Sequence, residues 1–194
     1  MAAERPAACR GSAFEDRYSR NPDPWDFAGS AYERHRYRTV MEALPQFSYG
    51  RAFEPGCSVG ELTAQLAEVC GHVTATDVAP SAVERARHRC AAFVNVEIYC
   101  ADLALLMPAG RFDLIIFSEL GYYFPMPMLG RITQALAHKL NPGGDFVAVH
   151  WLGQSEDHVL HGDEVHDLLQ NTLPLKSLGG ERHAGFRIDR WRQS

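Results

Sequence analysis

Short apolar runs alternate along this chain with segments in which apolar residues recur at helical spacing. The runs are typical of buried strands and occupy residues 51–54, 73–78, 94–101, 112–120 and 145–152. After the first run, Leu62, Leu66 and Val69 recur at i, i+4 and i+7, as on a helix with one buried face. Because strands and helices alternate, the pattern predicts an α/β fold in which a mostly parallel sheet forms a three-layer sandwich with helices on both faces.

Proline and glycine mark the ends of further helices. Pro80 is expected to open one of them. Another carries Leu129, Ile132 and Leu136 on one face, and residues 141–144, Asn-Pro-Gly-Gly, are expected to end it.

The pattern changes after residue 152. A polar loop leads to a predicted helix near residues 163–171, and two short runs at 175–178 and 186–191 flank glycine-containing turns. The two runs predict a terminal antiparallel strand pair at the edge of the sheet, which brings the sheet to seven strands.

The segment before the first strand divides into two parts. Residues 1–12 are small and polar without an apolar core segment, so we expect neither a signal peptide nor a membrane anchor there, and we expect disorder. Residues 13–48 are rich in aromatic residues and arginine, with a structured turn at 21–27 and a helix at 30–44. This segment is predicted to be an N-terminal helical cap on a single domain whose core spans residues 49–194.

Composition and charge exclude some partners. The chain has 194 residues, 46% of them hydrophobic, and a formal net charge of −5. No broad basic field for nucleic acid is expected, since the basic cluster at 85–89 is typical of a solvated helix face. Five cysteines without CxxC spacing indicate a reducing, cytoplasmic setting. We expect a monomer or a homodimer.

A glycine-punctuated turn follows the first strand and precedes a helix. Gly56 and Gly60 allow a ligand to approach the backbone, next to amides that point outward from the helix start. Asp77 follows Gly60 by seventeen residues, at the end of the second strand, where a carboxylate can accept hydrogen bonds from ribose hydroxyls. Glu54 in the mouth of the turn suits a cationic ligand better than a phosphate.

The same turn also contains the pattern of a hydrolase nucleophile elbow. Ser58, Asp113 and His150 occur in the order nucleophile, acid, base. Against a serine hydrolase, at most one strand precedes the serine, no segment is available for an oxyanion hole, and Asp113 begins its strand rather than ending it. Asp77 would also remain unexplained, so this alternative is remote.

Several motifs, taken together, resemble class I S-adenosylmethionine-dependent methyltransferases. They are Glu-Pro-Gly-x-x-x-Gly from Glu54, Thr-Asp-Val-Ala-Pro around Asp77, Ala-Asp-Leu around Asp102, Phe-Asp-Leu-Ile and Leu-Asn-Pro-Gly-Gly, within about residues 50–150. More narrowly, residues 21–27 and residues 158–166 resemble the nodulation N-methyltransferases, the NodS-like family. That family implies a Rossmann-like fold and methylation of an amine on an amino sugar.

The resemblance also implies roles for particular residues. The loop after the first strand would hold the methionyl part of S-adenosylmethionine, Asp77 the ribose, and Val78 one face of the adenine. The full set implied to bind the cofactor is Trp25, Tyr32, Arg38, Glu54, Pro55, Gly56, Cys57, Ser58, Gly60, Leu62, Asp77, Val78, Ala101, Asp102, Leu103, Ser118 and Glu119. Many relatives have glycine where this chain has Ser58, so the backbone is expected to approach the ligand less closely there.

Methyl transfer needs the acceptor and the methyl group in near-attack geometry more than it needs strong acid–base groups. For an amine, Glu119 or His150 could accept the proton, and Tyr122 and Tyr123 could line the acceptor pocket. We expect the segment 14–38 to form a lid over the cofactor. An O-methyltransferase and a non-methylating S-adenosylmethionine-binding protein are the alternatives.

Three histidines near the end of the chain could indicate a metal site. His158, His161 and His166 accompany Asp157 and Asp163, but the spacings are not those of a helical ligand pair. Loop and helix-capping roles are the better prediction, and no metal is expected.

Overall fold

The computed structural model describes residues 7–194, with side chains from residue 11 onward. Its strands are β1 Tyr49–Pro55, β2 Cys70–Asp77, β3 Val96–Cys100, β4 Phe112–Ser118, β5 Leu140–Trp151, β6 Lys176–Arg182 and β7 Phe186–Arg192. They form a seven-stranded sheet in the order β3-β2-β1-β4-β5-β7-β6. The first five strands pair in parallel, whereas β7 pairs antiparallel with both β5 and β6. The predicted mostly parallel sheet with a terminal antiparallel pair is confirmed.

Helices cover both faces of the sheet. They are α1 Ala7–Arg20, α2 Ala31–Glu42, α3 Glu61–Val69, α4 Pro80–Arg89, α5 Met126–Ala137 and α6 Gly162–Thr172. A short 3₁₀ turn, Gly121–Tyr123, follows β4.

Alternation along β4 explains the three layers. Ile115 and Phe117 pack into the core that α5 and α6 cover, while Leu114 and Ile116 pack into the core beneath α2 and α3. Successive side chains of a strand point to opposite faces, so an unbroken apolar run is buried on both sides. The sandwich therefore follows directly from the continuous apolar character of the central strands.

Three predicted boundaries are wrong. Residues 7–12, expected to be disordered, belong to α1, whereas residues 1–6 lie outside the described residues. The predicted stop at 141–144 falls inside β5, because α5 already ends at Ala137 and these residues form the irregular start of the strand, where the β4 register shifts. The pair Gly179-Gly180 lies within β6 rather than in a turn.

The carboxyl ends of β1 to β4 meet at one edge of the sheet, where ligands bind in open α/β folds. The N-terminal helices lie over this edge: α1 contacts α4, and α2 contacts α3. Within residues 7–194, no helix is long and apolar enough to cross a membrane.

Candidate active site

A cavity of about 470 Å³ opens between the carboxyl edge of the sheet and the N-terminal helices. This size is within the range of small-molecule and cofactor sites. Twelve of the residues singled out from the sequence line it: Trp25, Tyr32, Gly56, Ser58, Asp77, Val78, Ala101, Asp102, Leu103, Glu119, Tyr122 and Tyr123.

The loop between β1 and α3 forms one wall. Ser58 adopts a left-handed backbone with φ of 50°, a conformation that favours glycine over residues with a side chain. Asp77 holds the loop in place: its Oδ2 accepts the Ser58 amide at 2.9 Å, and its Oδ1 accepts the Ala79 amide at 3.0 Å. Burial raises the pKa of the Asp77 carboxyl, although these amides oppose the shift. Asp77 thus joins the loop to the start of α4.

The position of Glu54 contradicts the prediction that its carboxylate faces a cationic ligand. Its side chain is buried, accepts the Thr63 hydroxyl at 2.6 Å, and does not line the cavity. Burial raises the pKa of Glu54 to about 8. Because it is enclosed beneath α3 and largely protonated at neutral pH, Glu54 cannot face a cationic ligand in this conformation.

Other residues of the same segment also turn away from the cavity. Gly60, at φ 85°, begins α3 so close to α4 that a Cβ there would lie 2.9 Å from the Ala86 Cα. Cys57 and Leu62 pack into core clusters on the α3 and α4 side, and Pro55 is buried at the end of β1. Of this loop, only Gly56 and Ser58 line the cavity.

A second wall is the turn after β4. Ser118, predicted at the cofactor, is buried and does not line the cavity, but Glu119 does. The Glu119 backbone is left-handed, with φ of 55°. Its Oε1 accepts the Trp151 amide at 2.8 Å, and its Oε2 accepts the Tyr122 hydroxyl at 2.5 Å.

Arg36, rather than the predicted Arg38, is the cation that pairs with carboxylates of this site, although it does not itself line the cavity. Arg36 is 1% exposed; its Nη1 lies 2.8 Å from the Glu119 Oε1 as an ion pair without hydrogen-bond alignment, and its Nε donates to Glu33 at 2.8 Å. Arg38 is exposed and does not line the cavity. Two residues along a helix correspond to about 200° of rotation, so Arg36 and Arg38 face opposite directions.

His150 is not at the cavity either, and it cannot be the predicted base. It is fully buried, its Nε2 accepts the Gly121 amide at 2.9 Å, and its Nδ1 lies 3.1 Å from the His166 Nε2. The His166 Nδ1 lies 2.7 Å from Asp189 Oδ2. Burial and the neighbouring His166 hold the pKa of His150 well below its usual range. This chain of hydrogen bonds positions the turn that carries Tyr122.

Aromatic side chains of the N-terminal segment form the roof. Tyr18 donates its hydroxyl to the Ser58 Oγ at 2.5 Å, and Phe14 packs edge-on against Tyr123 with ring centroids 5.0 Å apart. Trp25 packs edge-on against Tyr18 at 5.6 Å. Helix α1 is thereby attached to the loop after β1 and to the turn after β4.

Half of the lining was not predicted from the sequence. These residues are Phe14, Tyr18, Phe27, Ser30, Glu33, Thr76, Leu120, Phe124, Trp151, Gln154, Ser155 and His158. Phe14 and the other aromatic residues of the cap carried a signal, since their segment was predicted to cover the cleft. Trp151 ends β5, and Gln154, Ser155 and His158 come from the loop after it, where no periodicity indicates which side chains face inward.

Of the C-terminal histidines, His161 has the predicted capping role and His158 lies in a loop, whereas His166 lies within α6 and belongs to the buried chain described above. His161 caps α6, with its side chain accepting the Asp163 amide. Within residues 7–194, no group of three or more potential ligands is arranged to hold a metal ion.

The model of the family described as "Nodulation protein S (NodS)" matches residues 14–176, most of this chain and nearly all of the cavity wall. The chain belongs to this family. Nodulation protein S of Sinorhizobium fredii (strain NBRC 101917 / NGR234) is 30% identical over 78% of this chain and 72% of its own length. That of Rhizobium tropici is 33% identical over 64% of this chain and 53% of its own.

The solved structures give the same result. N-methyltransferase NodS from Bradyrhizobium japonicum WM9, in complex with S-adenosyl-L-homocysteine, superposes with a TM-score of 0.82 at 25% identity, covering 94% of this chain and 98% of that one. The chain spans about half the length of the first curated relatives it matches. The expected resemblance to the NodS-like family and the Rossmann-like fold are both confirmed.

Proposed function

We propose that this chain transfers a methyl group from S-adenosylmethionine to the nitrogen of a small, unphosphorylated amine. The observation that carries the proposal is the charge of the cavity, at the sheet edge where this family's fold binds ligands. Four carboxylate residues, Glu33, Asp77, Asp102 and Glu119, line it, and among the described lining residues there is no lysine or arginine.

The residues of the cavity fit the cofactor. Asp77 already accepts two amides, but each carboxylate oxygen has a second lone pair for a ribose hydroxyl. Val78 and Leu103 offer apolar surfaces for the two faces of an adenine, with Asp102 at its edge. When bound, S-adenosylmethionine supplies a methyl group activated by a sulfonium.

The protein's own contribution is binding, orientation and exclusion of water. Glu119 is fixed by the Tyr122 hydroxyl, the Trp151 amide and Arg36, so its carboxylate presents a rigid negative wall. Aromatic rings around this wall can attract a cationic acceptor by cation–π interaction. Holding the nitrogen and methyl group in line supplies much of the rate enhancement in such a displacement.

The absence of lysine and arginine among the described lining residues favours an amine without a phosphate group. A phosphorylated amine carries an anionic group that arginine or lysine normally pairs with. Here the buried Arg36 is already paired with Glu33 and Glu119. An amine without a phosphate group, such as an amino sugar, therefore suits the cavity better than a phosphate ester.

Calorimetric titrations with S-adenosylhomocysteine and with NAD test which cofactor the protein binds. We expect S-adenosylhomocysteine to bind and NAD not to bind. A methylation assay then compares glucosamine, ethanolamine, phosphoethanolamine and catechol as acceptors. We expect methylation of glucosamine, ethanolamine or both, little of phosphoethanolamine and none of catechol. Preferred methylation of catechol would assign an O-methyltransferase instead, and absent binding of S-adenosylhomocysteine would overturn the proposal.

A further inference from the structure

Four histidines lie around the carboxyl end of β5, and in three of them both ring nitrogens already contact other groups of the protein. Both ring nitrogens of His150 and of His166 take part in the buried chain that ends at Asp189. The Nδ1 of His161 accepts the Asp163 amide, and its Nε2 lies 2.7 Å from the Leu152 carbonyl oxygen. These three rings have structural roles and no free nitrogen for a substrate.

His158 differs from the other three. It lines the cavity, and in the described part of the chain neither of its ring nitrogens has a hydrogen-bond partner. Its ring stacks on that of Tyr122, with centroids 3.8 Å apart and planes 18° apart, and it meets Tyr123 edge-on at 5.2 Å. Stacking fixes the plane of an imidazole while leaving the nitrogens at its edge accessible.

The carboxylates nearby are less suited to take a proton. Glu119 accepts hydrogen bonds from Tyr122 and from the Trp151 amide and is paired with Arg36, so protonating it would remove the ion pair and weaken both hydrogen bonds. Glu33 is paired with the same arginine. Tyr122 donates its hydroxyl hydrogen to Glu119, and burial raises its pKa well above the usual range.

We infer that His158 is the catalytic base that takes the proton from the acceptor's ammonium group before methyl transfer. The inference rests on the proposed amine methylation. The neutral imidazole accepts one proton from R–NH₃⁺, leaving R–NH₂ with a free lone pair. That lone pair forms the N–CH₃ bond as the CH₃–S bond breaks, and the electron pair of the broken bond stays on sulfur. The imidazolium afterwards releases its proton to water.

The surroundings of His158 favour the neutral ring before the reaction. Burial lowers the pKa of His158, and Arg17 on α1 and His161 act in the same direction. Asp157 beside it and Glu119 across the cavity oppose the shift. These two carboxylates are also placed to stabilise the imidazolium that forms. Trp151 meets the same ring edge-on at 6.1 Å, which completes the set of groups packed around it.

The test compares wild-type protein with His158→Gln and His138→Gln. His138 is an exposed histidine at the end of α5, outside the cavity, and serves as the matched control. The rate constant kcat/KM is measured from pH 6.5 to 10 with glucosamine or ethanolamine, whichever wild type methylates faster. Calorimetry gives the S-adenosylhomocysteine Kd of each protein, and NMR follows the histidine rings of the wild type and of His158→Gln in the complex.

At pH 7.5 we expect His158→Gln to lower kcat/KM by about 100-fold or more, the effect typical of a lost general base. The loss should shrink as the pH approaches the amine's own pKa, where solution supplies neutral amine. His138→Gln should match wild type, all Kd values should agree within about twofold, and one imidazole titrating at lowered pH should vanish from the NMR spectrum of His158→Gln.

Two results would overturn the inference alone: a His158→Gln enzyme as fast as wild type, or a loss of equal size at every pH, which would indicate a structural role. A wild type that binds S-adenosylhomocysteine but methylates neither amine would instead refute the proposed function, and the inference with it.

Discussion

Removing Arg36 tests how the site is held together. Arg36→Ala would leave Glu33 and Glu119 facing each other without the cation that lies between them. Breaking a buried pair by removing one partner costs about 3–5 kcal/mol. The two carboxylate side chains are 12% and 17% exposed, so water can reach them in part, and we expect a loss near the lower end.

The assay is thermal unfolding followed by circular dichroism. For a domain of this size, 1 kcal/mol lowers Tm by roughly 2–4 °C, so a loss of about 3 kcal/mol corresponds to roughly 6–12 °C. Arg38→Ala is the matched control: the residue is exposed on the same helix, and surface substitutions usually change stability by less than about 0.5 kcal/mol.

The pH dependence adds a second criterion. Burial already raises the pKa of Glu33 although Arg36 opposes the shift, so removing the arginine raises that pKa further. A carboxyl whose pKa is higher in the folded than in the unfolded protein stabilises the fold when it is protonated, so the deficit of Arg36→Ala should shrink as the pH falls toward about 4.3, the unperturbed pKa of a glutamate. An Arg36→Ala protein with the Tm of Arg38→Ala, or with a deficit independent of pH, would refute this account of the site.

Three further predictions concern the scaffold. Burial raises the pKa of Glu54 from 4.5 to about 8, so folded wild type should lose stability as pH rises across that interval. Glu54→Gln should therefore gain Tm relative to wild type at pH 8.5 but not at pH 5, and exposed Glu68→Gln should show no such difference. Gly60→Ala should unfold at lower denaturant than Gly143→Ala, since both have positive φ but only Gly60 faces the Ala86 backbone; equal midpoints would contradict this close approach. Glu15 on α1 accepts hydrogen bonds from the Ser81 amide at 3.0 Å and from the Ser81 hydroxyl at 2.5 Å. Because Glu15→Ala removes both bonds, it should speed tryptic cleavage of α1 at Arg17 and Arg20. Binding of S-adenosylhomocysteine should slow this cleavage. Cleavage no faster than in exposed Asp16→Ala, or unchanged by the ligand, would exclude α1 as a lid.

The sequence by itself determined the sheet and the position of its binding edge. Continuous apolar runs bury both faces of a strand, and alternation with helices requires parallel strands, so the ends of β1 to β4 had to meet. Asp77 ends β2 and Asp102 lies two residues after β3, and both line the cavity because the end of a strand fixes where the residues beside it lie. The periodicity that distinguishes strands from helices is a local property that short segments of sequence carry.

Only the tertiary structure decided which side chains of the irregular segments enter the site. Arg36 and Arg38 are the same residue type on the same helix, so the sequence does not distinguish them. The packing of α2 buries Arg36 and leaves Arg38 exposed to solvent. His150 was predicted as a base from its place at a strand end, but hydrogen bonds to Gly121 and His166 commit it to the scaffold. His158 faces the cavity because its loop folds back onto the ring of Tyr122. Such contacts join residues far apart in the chain, so their outcome depends on packing that no local pattern encodes.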